Sequence, residues 1–209
     1  MTHLFLHGLG QTPNTWTNIL SGISVTDACC PDLFSLCADK PLNFAGIYRG
    51  FCQLSERASA PLHLCGLSLG GMLALRYAAE HPEKVGSLVL IGTQYQSPDR
   101  LLTIQNMIFR LMPQKAFAQM GLGKQDFLSL CLSMKGLNFE PELSKITCPV
   151  LVLCGEKDRA NLPAARQLAA LLPHAEFSPI PHAGHEANTD ASGELTALLR
   201  AFYQKHDIA

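Results

Sequence analysis

The chain is poor in charge and in aromatic residues. Of its 209 residues, 16% are Asp, Glu, Lys or Arg, 7% are Phe, Trp or Tyr, and tryptophan occurs once. The formal net charge is −1 and no run of like charges occurs, which argues against a face for nucleic acid or for acidic membranes. Long apolar runs are missing too. Nothing approaches the roughly 18 residues of a membrane span, and the opening THLFLHG is too short, and lacks the basic flank, for a signal peptide. The eight cysteines (29, 30, 37, 52, 65, 131, 148, 154) form no Cys-x-x-Cys pair and no His/Cys spacing suited to zinc. Cys65 and Cys154 lie inside apolar runs, where free cysteine behaves as a small hydrophobe. The expectation is a reduced, cytoplasmic protein with no metal, no organic cofactor, and no nucleic-acid or membrane partner. What the chain does have is apolar residues, 47% of the total, enough for one domain over residues 1–209 with a substantial core.

Those residues fall into a pattern. Short, β-rich apolar runs occur at Thr2–Leu6, weakly at Thr26–Cys30, and at Leu62–Cys65, Ser87–Ile91, Val150–Cys154 and Glu176–Ile180. Helical periodicity occupies Pro13–Leu20, Asn43–Ala58, Leu69–His81, Ala164–Leu172 and Glu194–Gln204. Continuous apolar strands alternating with helices predict an α/β fold with a mainly parallel sheet covered on both faces. Residues 94–147 break the rhythm with helical pattern only. Ile104, Met107, Ile108, Leu111 and Met112 make one apolar stripe, and Phe127, Leu130, Cys131 and Met134 make a second. Such stripes either pack on the domain or form a small helical cap over a binding site. Four of the six methionines lie in this segment.

The chemistry centres on HLCGLSLGGMLAL, residues 63–75. Gly66-Leu67-Ser68-Leu69-Gly70 fits G-x-S-x-G with a strand running in and a helix leaving, the context in which the motif has mechanical meaning. Flanking glycines remove Cβ atoms that would collide with neighbouring elements, and a helix N-terminus favours negative charge at Ser68. A serine hydroxyl needs a base to become a nucleophile. Of eight histidines, His185 in PHAGHEAN follows the last strand, with His182 as its local rival, while His63 and His81 sit in or at the end of regular elements. A base needs a carboxylate to fix its tautomer. Asp158 in GEKD follows a strand end, with Glu156 as runner-up. The loop His7-Gly8-Leu9-Gly10 after the first strand supplies a bend in which the N–H of Leu9, together with that of Leu69, can meet a developing oxyanion.

With HGLG, GLSLGG, CPVLVLCGEKD and HAGHEAN in this order, the chain resembles a small member of the α/β-hydrolase superfamily over nearly its whole length. The resemblance implies an α/β-hydrolase fold with about six parallel strands, the two strands that usually precede HGLG being absent, and with 94–147 as a short cap. It also implies the catalytic residues Ser68, Asp158 and His185, with the backbone of Leu9 and Leu69 as oxyanion hole. The expected activity is hydrolysis of a small to medium, uncharged carboxylic ester, thioester or lactone through an acyl-enzyme on Ser68. Carbon–carbon chemistry is the alternative within the fold. Its relatives often carry an arginine after the glycine pair where this chain has Met72, although Arg76, Arg100 or Arg110 turned inward would supply one. A non-catalytic ligand receptor is a third reading. A dehalogenase is disfavoured because that branch carries aspartate in place of Ser68.

Overall fold

Each of the six apolar runs forms a strand, and all the pairings are parallel. The computed structural model describes residues 2–118 and 122–208. The strands are β1 (Thr2–Leu6), β2 (Ala28–Cys29), β3 (Leu62–Leu67), β4 (Val85–Ile91), β5 (Val150–Gly155) and β6 (Ala175–Ile180), in the order β2-β1-β3-β4-β5-β6. Side chains alternate between the two faces along a strand, and here both faces are buried. Leu4, Leu6, Leu64, Leu88, Leu90, Val150 and Val152 enter one core, while Phe5, Cys65, Val89, Ile91, Leu151 and Leu153 enter the other. That is why the runs read as continuously apolar instead of alternating.

The helices cover these two faces. On one lie α1 (Thr17–Gly22) and α9 (Ser192–Lys205), through Ile19, Leu195, Leu199 and Phe202; on the other lie α2 (Phe44–Glu56), α3 (Leu69–Glu80) and α7 (Leu162–Leu171). The short α8 (Ala187–Asp190) was not anticipated: at one turn it is too short to show a period. The edges are blunted in different ways. β2 has only two residues, and β6 is half-exposed and carries Glu176 and Pro179, which disfavour further pairing. The chain leaves β1 toward β2 and returns to β3 on its other side. The carboxyl ends of β1 and β3 therefore flank a topological switch point, where a crevice opens.

Between β4 and β5 the described residues form α4 (Asp99–Leu111), α5 (Gln114–Ala118) and α6 (Lys124–Ser133). The second apolar stripe is buried as a unit, Phe127, Leu130, Cys131 and Met134 all joining the core. The first corrects both sequence readings. Ile104, Met107, Ile108 and Leu111 are 54–88% exposed and neither pack on the domain nor face a site. The inward face of α4 is instead Leu102, buried Asn106 and Phe109, with Asn106 Nδ2 donating to the Leu128 carbonyl at 3.1 Å. Period 3.6 identifies a stripe but not which of two stripes turns inward. Met112 does pack against the core; Met120 lies outside the described residues.

This partition predicts unequal costs. Leu130→Ala should lower the unfolding free energy by about 2–5 kcal/mol, whereas Leu111→Gln should change it by less than about 0.5 kcal/mol. Urea denaturation followed by circular dichroism measures both, and a larger loss at Leu111 would contradict the exposed placement.

Candidate active site

A single residue joins β3 to α3. Ser68 takes φ 52° and ψ −110°, a left-handed conformation that is costly for any residue with a Cβ. Its N–H donates to the Ile91 carbonyl at 2.9 Å and its own carbonyl accepts the Met72 N–H at 2.9 Å, so β4 and the first helical turn hold the strained residue in place. Gly66 makes the geometry possible: a Cβ there would stand 2.4–2.5 Å from backbone atoms of Gly70 and Gly71. The glycines thus serve close approach, and the positive φ falls on the serine itself.

His185 lies in the loop after β6, and its Nδ1 is 2.7 Å from Asp158 Oδ2 at the end of β5. Burial of Asp158 pushes its carboxyl pKa up, but hydrogen bonds from His185 and Asn161 outweigh this and hold it below its ordinary value. An ionised acceptor keeps the proton on Nδ1 and leaves Nε2 with the free lone pair. Glu156 does not reach the imidazole; its Oε2 accepts the His182 N–H at 3.1 Å. His182 is exposed at φ 62° and is not part of the cavity wall. His63 is buried elsewhere, bonded through Nδ1 to Ser87 Oγ at 2.9 Å and stacked on His3, and burial pushes its pKa down to about 4. His81 rests against the Tyr77 ring.

Ser68, Asp158 and His185 meet in one cavity of about 480 Å³. Among the described residues no hydrogen bond joins Ser68 to His185. One wall is apolar, built from Met72 and from Leu102, Phe109, Phe127, Cys131 and Met134 of the β4–β5 segment. No lysine or arginine is among the described lining residues. Arg76 points away, 2.8 Å from Glu80 and over the Tyr48 ring, and Arg110 is exposed; the Arg100 side chain lies outside the described residues. Leu9, Gly10 and Leu69 complete the rim beside Ser68. The HGLG loop is pinned by His7, which is fully buried: its Nε2 accepts the Leu33 N–H at 3.1 Å, so Nδ1–H donates to the Gly8 carbonyl at 2.9 Å. Burial lowers the His7 pKa and keeps the ring neutral. A serine held on a strained turn at the start of a helix and a carboxylate-fixed imidazole in the same cavity are groups that acyl transfer can use.

A statistical model of the alpha/beta hydrolase family matches residues 4–198. The chain belongs to the alpha/beta hydrolase family. Its six-stranded parallel sheet and flanking helices are the α/β-hydrolase fold: the enol-lactonase of Burkholderia xenovorans LB400 superposes with a TM-score of 0.81 at 20% identity, over 97% of this chain and 91% of that one. Among curated relatives, a 2-hydroxy-6-oxononadienedioate/2-hydroxy-6-oxononatrienedioate hydrolase of Comamonas testosteroni is 27% identical over 64% of this chain and 60% of its own length. A pimeloyl-[acyl-carrier protein] methyl ester esterase of Aromatoleum aromaticum is 35% identical over 43% of this chain and 36% of its own length. This family member spans 60–65% of the length of the first relatives it matches.

Four side chains of the site carried no motif. Gln94 and Asn161 line the cavity and bond to each other, Gln94 Nε2 to Asn161 Oδ1 at 2.7 Å. Gln11 and Asn188, both buried, exchange two amide hydrogen bonds of 3.0 and 3.1 Å that tie the HGLG loop to α8. Asn161 stands three residues after Asp158, a spacing that could have flagged it; Gln11 and Asn188 are 177 residues apart and left no local signal. Gly92 is a fifth omission. It sits at φ +55°, and a Cβ there would lie 3.2 Å from both Cε1 and Nδ1 of His185. Gly92→Ala should therefore cost about 1–3 kcal/mol in stability and displace the imidazole. Denaturant titration checks the first effect and a structure of the variant the second. A fully stable variant with His185 unmoved would contradict this packing.

Proposed function

We propose that the protein is a serine hydrolase of small to medium, largely uncharged carboxylic esters or their thioester and lactone relatives. The observation that carries the proposal is the meeting of strained Ser68, the Asp158–His185 pair and the Leu9/Leu69 rim in one apolar-walled cavity. Ser68 Oγ attacks the carbonyl carbon while His185 Nε2 takes its proton. Asp158 stabilises the imidazolium, and the N–H groups of Leu9 and Leu69 receive the charge that develops on the carbonyl oxygen. His185 returns the proton to the leaving alcohol, thiol or ring oxygen, then activates water to release the acyl group. Only neutral imidazole accepts the serine proton, so acid suppresses kcat/KM.

The apolar walls support this substrate class. Methionine adapts to several acyl shapes, and Met72 and Met134 both line the cavity. Each methylene buried there should contribute about 0.8 kcal/mol, near fourfold in kcat/KM, until the cavity is full. Preference then rises from acetyl toward butanoyl or hexanoyl esters before falling. A relative named for a dioate substrate gives the carbon–carbon reading some support, but the described lining offers an anion no cation. The segment between β4 and β5 acts in this proposal as the cap, and the reducing compartment is supported by Cys65, Cys131, Cys148 and Cys154, all buried free thiols.

The test pairs a neutral ester with its ω-carboxylate analogue of equal length. The neutral ester should be favoured by about tenfold or more, since a carboxylate would be desolvated without a partner. Ser68→Ala should lose about three or more orders of magnitude in kcat. Preference for the anionic analogue would favour the carbon–carbon reading, and unchanged turnover in Ser68→Ala would remove the serine from the mechanism.

A further inference from the structure

Asp158 receives more hydrogen bonds than a histidine supplies. Oδ2 accepts from His185 Nδ1 at 2.7 Å. Asn161 Nδ2 stands 2.8 Å from Oδ1 and 2.9 Å from Oδ2, and the Asn161 N–H reaches Oδ1 at 3.3 Å. The orientation of the Asn161 amide is fixed by the carboxylate, because turning it over would set its oxygen against two oxygens that only accept; Gln94 Nε2 then donates to Asn161 Oδ1 at 2.7 Å. Asn161 Nδ2 also lies 3.1 Å from His185 Nδ1. With the imidazole proton on Nδ1 both are donors, so this is two N–H groups sharing one acceptor and not a bond between them.

We propose that Asn161, anchored by Gln94 just beyond β4, is a positioning residue that clamps both oxygens of Asp158 and limits how strongly the carboxylate holds the proton on His185. This rests on the reading of Ser68, His185 and Asp158 as the reacting set. The physical reason is charge dispersal: a carboxylate whose lone pairs already serve neutral N–H donors is a weaker partner for an imidazolium than a bare one. The clamp also fixes the plane of the carboxylate, and with it the aim of the imidazole. Other titratable groups nearby stay constant in the test. The Cys154 thiol, 3.8 Å from Oδ2, is pushed up to about 12, chiefly by burial, and stays neutral. Glu186 follows His185 on the cavity rim; Glu156, Lys157 and Arg159 flank Asp158 with exposed side chains, and Asp190 accepts the Gly184 N–H. Gly92 and Gln94, the β4-side neighbours, carry no charge.

Two variants and two readouts test this. Asn161→Ala removes the side-chain donor, and Asn161→Asp replaces it with a second carboxylate of the same shape. On a neutral short-chain ester, Asn161→Ala should lower kcat by about ten- to a hundredfold with little change in KM. The acidic limb of its kcat/KM profile should move to higher pH by about one unit, and Asn161→Asp should move it further. The same order should appear when the His185 Cε1–H resonance is titrated by NMR in folded protein. A residue that served folding alone would reduce the active fraction and leave both titrations where they are in the wild type. An unmoved midpoint in both variants, with the wild type active, overturns the clamp and leaves the reading of Ser68 intact. A wild type with no esterase turnover overturns that reading, while the NMR titration still decides whether Asn161 governs His185.

Discussion

Everything at the candidate site depends on one backbone constraint, the left-handed turn at Ser68. An L residue enters that region only when its surroundings over-determine it, and three do so here. Ile91 accepts its N–H from the next strand, α3 begins at the following residue, and Gly66 lets the first helical turn press against β3. The turn fixes where a hydroxyl can stand relative to the carboxyl ends of β1, β4 and β5. The loops that meet there are pinned to match: the HGLG loop by buried His7 and the Gln11–Asn188 amide pair, the acid loop by Asn161, and the histidine loop by backbone bonds to Glu156 and Lys157.

The strands, and the positions of the candidate residues at strand ends, could be read from the sequence because they depend on local chemistry. Strands buried on both faces need unbroken apolar runs, so the six strand positions were visible, and the parallel sheet followed from the helices between them. Ser68, Asp158 and His185 each follow a strand, and the structure gathers them in one cavity because parallel strands deliver all their carboxyl ends to the same edge of the sheet. The two neighbouring carboxylates differ in what they meet on the other loop. Asp158 is buried and bonded to the imidazole, while Glu156 caps the backbone of His182.

What the sequence concealed was direction. α4 carries two apolar lines, and the longer one, Ile104 to Leu111, faces solvent, while Leu102 and Phe109 turn to the cavity. Periodicity gives an angle around a helix and says nothing of its absolute rotation, which is set by contacts with α6, outside the helix itself. Amide networks were hidden for a related reason. Asn and Gln are common on surfaces and acquire meaning only when a distant partner buries them, as Asn188 does for Gln11. The absence of a cation from the described cavity wall was likewise only half legible: Met72 hinted at it, but Arg76 had to be seen against Glu80 and Tyr48 before the charge could be assigned to the outside.

The central claim is that Ser68 and the two rim N–H groups form one acyl-transfer centre. The most direct measurement is a crystal structure of the protein after reaction with an alkyl fluorophosphonate, whose tetrahedral phosphorus imitates the intermediate of acyl transfer. The account predicts phosphorus bonded to Ser68 Oγ, with the phosphonyl oxygen about 2.7–3.1 Å from the backbone nitrogens of both Leu9 and Leu69. An adduct on a different residue, or a phosphonyl oxygen turned away from both nitrogens, would contradict it.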